Sequence, residues 1–383
     1  MTQANTAIQR LNSNQIMSAV TIHQQALAHN LSVARQCMPN SQVFAVVKAN
    51  AYGHGIERVY AGLEGADGFA FLDIEEGARL RALGCKKPLM LLEGIFAFED
   101  LFACVKHEMS FAIHSRHQVQ WLKQFAEIAP DAQFDVYLKM NSGMNRLGFE
   151  PQQYADIWQE LQQLNTVRSI THMTHFSDAD GQRFGVDGIQ YQNLIFSQSI
   201  QGLEGKISLS NSAAILRHHQ TLHSDIVRSG IMLYGSSPDY PTHTILDWNL
   251  QPSMSLRSEI IAIQTIQTGQ SIGYGSKFIA TQDMRIGIVA CGYADGYQRL
   301  SATGTPVLVD SMKTHTLGRV SMDMLAVDLT ALPQTNVGSE VVLWGQSSQG
   351  VVLPIDEVAA SSGTIGYELM CAVTARVHFQ IDA

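Results

Sequence analysis

Between Val43 and Leu233 the sequence repeats one pattern eight times: a short apolar, β-rich run followed by a stretch of helical length. The runs are Val43–Val47, Gly68–Leu72, Leu89–Leu92, Phe111–His114, Phe134–Met140, Ser169–His175, Ile207–Ser210 and Ile226–Leu233. Eight strands with intervening helices match the repeat and length of a (β/α)8 barrel, although an open doubly wound sheet shares much of the pattern. No GxGxxG follows the first run, which counts against the open sheet. Ahead of the repeat, a run around Val20 to Ile22 precedes a segment whose Leu27, Leu31, Ala34 and Met38 recur at spacings of four, three and four, predicting a helix with one buried face.

The pattern changes after Tyr234. GSSPDYPTH, with two prolines, reads as a linker, and beyond it Met254–Ile263, Arg285–Ala290, Thr305–Asp310, Thr314–Asp328 and Glu340–Trp344 are rich in Val, Ile and Leu between short turns. The expected organisation is a barrel over 1–240, with a disordered tail over 1–16, and a mostly-β domain over 241–383 holding one helix near Pro354–Ala360. A net charge of −9 without a basic run argues against nucleic acid as a partner. Five scattered cysteines show neither metal-ligand spacing nor a disulfide framework, which fits a reducing compartment. With no span-length apolar segment and no signal-peptide core, the expectation is a cytoplasmic enzyme.

Barrel enzymes place their chemistry at the C-terminal ends of the strands. Lys48 ends the first run, where desolvation would lower its pKa and free a nucleophilic amine. Lys139 and the loop NSGMNRLG with Arg146 follow the fifth, His175 ends the sixth, NSAA from Asn211 follows the seventh, and Arg228 with SGI lies in the eighth. Each alone has a structural explanation: a snorkelling lysine, a core histidine, a surface arginine, a capped helix start, a layer-filling arginine paired to a carboxylate. Together they mark one mouth. The small residues after the seventh and eighth strands leave backbone N–H groups free for a phosphate.

The ordered motifs AVVKANAYGHG (45–55), NSGMNRLG (141–148), THF (174–176), SNSAA (210–214), RSGIMLYG (228–235), GYG (273–275), GYADGY (292–297), GRVSMD (318–323) and IGYE (365–368) resemble the alanine racemases, which use pyridoxal phosphate (PLP). The resemblance runs from about Ser18 to the C-terminus and implies a PLP-binding barrel followed by a β domain, in a homodimer that acts on alanine. By similarity, Lys48 carries PLP and acts as one base. Tyr274, supplied in the family by the other subunit, is the second, and His175 and Arg228 form the chain that favours its phenolate. Tyr52, Ser212, the N–H groups of Gly230 and Ile231, and Tyr367 correspond to the phosphate ligands, with Asn211 beside them. Arg228 corresponds to the arginine facing the pyridine nitrogen; a guanidinium does not readily give up a proton, so the ring stays a weaker electron sink and transamination is disfavoured. Arg146, joined by Met322 and neighbouring Asp323, corresponds to the residue contacting the cofactor's phenolic oxygen and the substrate carboxylate, and Lys139 stands where some members carry a carbamate.

Two departures stand out. Ser208 replaces a histidine found in many members, and Ser321 a cysteine. The competing readings are a racemase for serine or a broader set, a PLP-dependent decarboxylase of basic amino acids, whose usual run of three glycines is missing here, and a non-catalytic PLP-binding barrel, against which the β domain counts.

Overall fold

The computed structural model describes residues 18–382; the tail 1–16, expected to be disordered, lies outside the described residues. The chain divides into two compact units, one of Ala26–Gln251 and one joining residues 18–25 to the chain from Pro252 onward.

In the first unit eight parallel strands pair in chain order: Gln42–Val46, Gly68–Phe71, Leu89–Leu91, Met109–Ile113, Phe134–Lys139, Val167–Met173, Lys206–Ser208 and Ile226–Ser229. The eighth pairs with the first, Arg228 opposite Phe44. Between the seventh and eighth, side chains replace most of the ladder. Arg228 N–H donates to Ser210 O (2.9 Å), the Asp225 carboxylate accepts from Ile207 N–H (2.8 Å), and Ser224 Oγ accepts from Leu209 N–H (3.0 Å). The barrel is thereby closed. Its strands are buried on both sides because helices cover the outside while side chains fill the middle. The first helix, Gln24–Cys37, buries Leu27, Leu31 and Ala34, as their spacing predicts.

Four expectations change. The eighth strand stops at Ser229 because Gly230 (φ −112°, ψ −108°) breaks the extended path and Ile231–Tyr234 form a 3-10 turn. The sixth ends at Met173, so His175 stands on the loop beyond it. The run at Val20–Ile22 is a strand, Ala19–His23, of the β unit rather than of the barrel, pairing with Met254–Ile266 and, in parallel, with His378–Asp382. The proline-bearing segment after Tyr234 is an ordered part of the barrel unit and no linker. Buried Asp239 gathers Arg217 Nη1 (2.8 Å) of helix Ser212–His218, His243 Nδ1 (2.6 Å) and Trp248 Nε1 (2.9 Å), so polar contacts absent from any periodic pattern hold the segment down.

The second unit is built on a nine-stranded sheet whose long strand Met254–Ile266 pairs with three others, Glu340–Gln346 among them, so that the sheet curls over buried Trp344, Leu256, Ile260 and Val342. Among the described residues it carries two α-helices instead of one, Ile355–Ser361 and Gly366–Ala372. The second has seven residues and no side-chain cap, too little for a periodicity signal.

Candidate active site

Val47 ends the first strand's hydrogen bonding, its N–H donating to Ala70 O (2.8 Å), and Lys48 opens the turn that follows. That turn is left-handed: Ala49, Asn50, Ala51 and Tyr52 have φ of 54°, 53°, 55° and 51°. Each such residue costs about 1–2 kcal/mol, so the surroundings must impose the conformation. Glu76 does so. Its buried carboxylate accepts from Asn50 N–H (2.8 Å) with one oxygen and from Leu72 and Asp73 N–H (3.2 and 3.3 Å) with the other, while Arg79 Nη2 donates to Asn50 Oδ1 (2.8 Å). Asp73 and Glu76 also form the capping box of helix Ile74–Ala82. The D-x-x-E spacing announces the helix start in the sequence, but not the grip on the Lys48 turn.

The turn delivers the Tyr52 hydroxyl to a small cradle. A Cβ placed on Gly230 would lie 3.0 Å from Tyr52 Oη and 3.7 Å from Ser212 Oγ, so only glycine leaves this space open. Ser212 Oγ accepts from the N–H groups of Gly230 (3.0 Å) and Met232 (3.3 Å). Asn211 is the N-cap of helix Ser212–His218, accepting from Ala214 N–H (3.0 Å), and so sets where Ser212 stands. Hydroxyls and amide N–H groups around a gap suit a phosphate dianion.

Cations surround the rest of the mouth. Arg228, buried, donates to Ser208 Oγ (2.6 Å), Thr174 O (2.8 Å) and Leu209 O (3.2 Å), all neutral acceptors, and burial pulls its pKa down to about 10. Among the described residues no carboxylate pairs with it, against one of the structural explanations above, and Ser208 is one of its acceptors. Lys139, last residue of the fifth strand and also buried, is lowered to about 8 by burial first, then by Arg228 and Arg146, with Glu93 opposing and Lys48 adding. His175 lies well below the ordinary imidazole value, through burial and then Arg228, Lys139, Arg146 and Lys48. Arg146 is exposed on a loop organised by Asn141, whose Oδ1 accepts from Gly143 and Asn145 N–H (3.2 and 2.9 Å). Lys48, Lys139, Arg146, His175 and Arg228, from four of the five strand ends singled out in the sequence, thus share one electrostatic neighbourhood, and the seventh supplies Asn211 and Ser212 to the cradle.

In the β unit, Tyr274 opens a 3-10 turn between the short strands Ser271–Ile272 and Phe278–Ile279 and is 72% exposed. Met322 is exposed too, its carbonyl accepting from Ala294 N–H (2.9 Å) beside Tyr293 N–H on Ser321 O (3.1 Å). Asp323 pairs with Arg376 (2.9 Å), and Tyr367 is half-buried in helix Gly366–Ala372.

The residues of the barrel fit PLP: an amine at a strand end, a glycine-floored cradle for its phosphate, and a guanidinium solvated only by neutral dipoles for its ring. Buried Ser210 and Ser229 hydroxyls beside them have no hydrogen-bond partner among the described residues. Such a mouth defines a barrel-type enzyme of the PLP-binding class.

Residues 22–238 match the family model described as alanine racemase, N-terminal domain, and residues 253–381 that described as alanine racemase, C-terminal domain. The chain belongs to the alanine racemase family. It is 66% identical over 358 residues to the alanine racemase of Acinetobacter baumannii (strain SDF), spanning 94% of this chain and 97% of that protein. With the alanine racemase of Acidovorax sp. (strain JS42) the identity is 54%, over 93% and 96% of the two chains. The solved biosynthetic alanine racemase from Pseudomonas aeruginosa matches with a TM-score of 0.89 at 40% identity, over 96% of this chain and 99% of that one.

Proposed function

We propose that Lys48 and Tyr274 are the two bases with which this PLP-dependent enzyme interconverts L- and D-alanine. The observation that carries the reading is the mouth itself, where Arg228 has only neutral acceptors and, with Lys139, Arg146 and Lys48, adds to burial in lowering the pKa of His175. PLP, when bound, supplies a conjugated electron sink that makes the α-proton of an amino acid acidic. Lys48 takes or returns that proton on one face of Cα, and Tyr274 of the partner subunit on the other. His175, kept neutral by burial and its cationic neighbours, and Arg228 favour the phenolate of Tyr274.

Tyr52, Ser212, the N–H groups of Gly230 and Ile231, and Tyr367 hold the phosphate, with Asn211 fixing Ser212. Arg146 binds the substrate carboxylate together with the backbone of Met322, which Asp323 helps to anchor. Lys139, its amine eased toward neutrality, adds carbon dioxide through its nitrogen and releases a proton to solvent, leaving a carbamate whose negative charge orients Arg146. Exposure of Tyr274 and Met322 supports a homodimer that shares its active sites. Among the described residues no helix is long and apolar enough to cross a membrane, in keeping with a cytoplasmic enzyme that feeds D-alanine to bacterial peptidoglycan or returns it to L-alanine.

The test is a panel of single enantiomers of alanine, serine, lysine and arginine. Alanine should be interconverted fastest; release of carbon dioxide, or serine outrunning alanine, overturns the assignment. Borohydride reduction should fix the cofactor to Lys48, and Tyr274→Phe should impair α-proton exchange from one enantiomer far more than from the other.

A further inference from the structure

Helix Gly188–Ser199 carries a glutamine that none of the motifs above includes. Gln192 is fully buried, and its amide is fully used. Nε2 donates to Ser142 Oγ (3.2 Å) and to His175 O (3.1 Å), while Oε1 accepts from Ser177 N–H (2.8 Å) and Ser177 Oγ (3.0 Å). One side chain therefore ties the loop after the fifth strand, which bears Arg146, to the loop after the sixth, which bears His175.

The tie continues in both directions. Ser142 Oγ is 2.7 Å from Thr174 Oγ1, Thr174 Oγ1 donates to Met140 O (2.9 Å), and Thr174 O accepts from Arg228 (2.8 Å). On the outer side, Arg183 donates twice to Gly143 O (3.2 Å each) and once to Ser177 Oγ (3.0 Å). The helix can approach this closely because its first residue is glycine: a Cβ on Gly188 would stand 1.7 Å from Asp178 O.

We propose that Gln192 is a positioning residue for the reaction, setting the Arg146 loop against the His175 loop so that the substrate carboxylate meets a preformed site. The inference rests on the assignment of Arg146 to that carboxylate. A loop that must be ordered at each binding event weakens binding of substrate and transition state alike, so the effect falls on KM rather than kcat.

The test compares holoenzyme of Gln192→Met, similar in volume but without the amide, with Gln192→Glu, which retains the acceptors for Ser177, and with Ser142→Ala, which removes one leg only. For Gln192→Met, KM for alanine should rise about tenfold in both directions with kcat changed less than about threefold, and Gln192→Glu should recover part of the loss. Amide hydrogen exchange should quicken about tenfold at Gly143 and Asn145 and stay unchanged in the strand Phe134–Lys139, with or without PLP. Ser142→Ala should move both readouts the same way by less. Unchanged KM and exchange in folded Gln192→Met overturn the proposal, as does faster exchange throughout the barrel, which marks a merely structural role. If Gln192→Met does not fold, Ser142→Ala decides by the same two readouts. A wild-type enzyme that does not racemise alanine overturns the functional assignment instead, and the exchange data alone then judge Gln192.

Discussion

Arg228 in the barrel and Arg376 in the β unit are both held by several acceptors, and the acceptors differ in charge. Arg376 donates to the two oxygens of buried Asp295 (2.8 and 3.1 Å) and reaches Asp323 at 2.9 Å; those hydrogen bonds raise its pKa above the ordinary value. Arg228 donates only to a hydroxyl and two carbonyls, and burial lowers its pKa. A charge matched by carboxylates within the protein has little field left for a ligand. One solvated by fixed neutral dipoles keeps its field for whatever enters the site, at the expense of stability. Arg376 therefore fastens the Met322 loop, and Arg228 is available for chemistry.

The largest effect should come from Arg228→Gln, which is expected to lower kcat by about a thousandfold, roughly 4 kcal/mol of barrier, while leaving the thermal midpoint nearly unchanged. A large loss of stability without loss of turnover would break the contrast. Arg376→Met should do the reverse first: leaving Asp295 buried and unpaired is expected to cost about 3 kcal/mol in denaturant unfolding. Stability within 1 kcal/mol of wild type, roughly the worth of a surface pair, would show the ion pair to be idle.

Lys139 sharpens the comparison through pH. Its folded value of about 8 lies below the ordinary lysine value of 10.5. Between those values the unfolded chain binds more protons than the folded one, so stability from this group rises with pH and is lost again as pH falls toward 8. Unfolding of the wild type minus that of Lys139→Met should show that rise, measured with carbon dioxide excluded; a difference flat from pH 8 to 10.5 would mean the ammonium is well compensated. The smallest change is expected at the Lys48 turn, where a carboxylate is matched by backbone N–H groups. Asp73→Ala, which removes half the capping box, should cost about 1 kcal/mol of stability.

Much of this was legible along the chain. The apolar runs gave the eight strands because a strand covered on both sides has to be apolar throughout, and Lys48, Lys139 and Arg228 stood out because charge is rare at the ends of such runs. The grip of Glu76 on Asn50, the burial of the segment around Asp239, the tie made by Gln192 and the strand Ala19–His23 in the β sheet were not legible. Each depends on particular polar contacts or strand pairings that a periodic apolar pattern does not record.

The sequence by itself determined the barrel, the β domain and the family, since those follow from local hydrophobic pattern and from ordered motifs. Only the tertiary structure decided that four residues after Lys48 turn left-handed, that Arg228 meets no carboxylate among the described residues, and that the cations of three different strand ends share one electrostatic neighbourhood. Strain and uncompensated charge are properties of the surroundings, and much of what surrounds a buried side chain comes from parts of the chain distant in sequence.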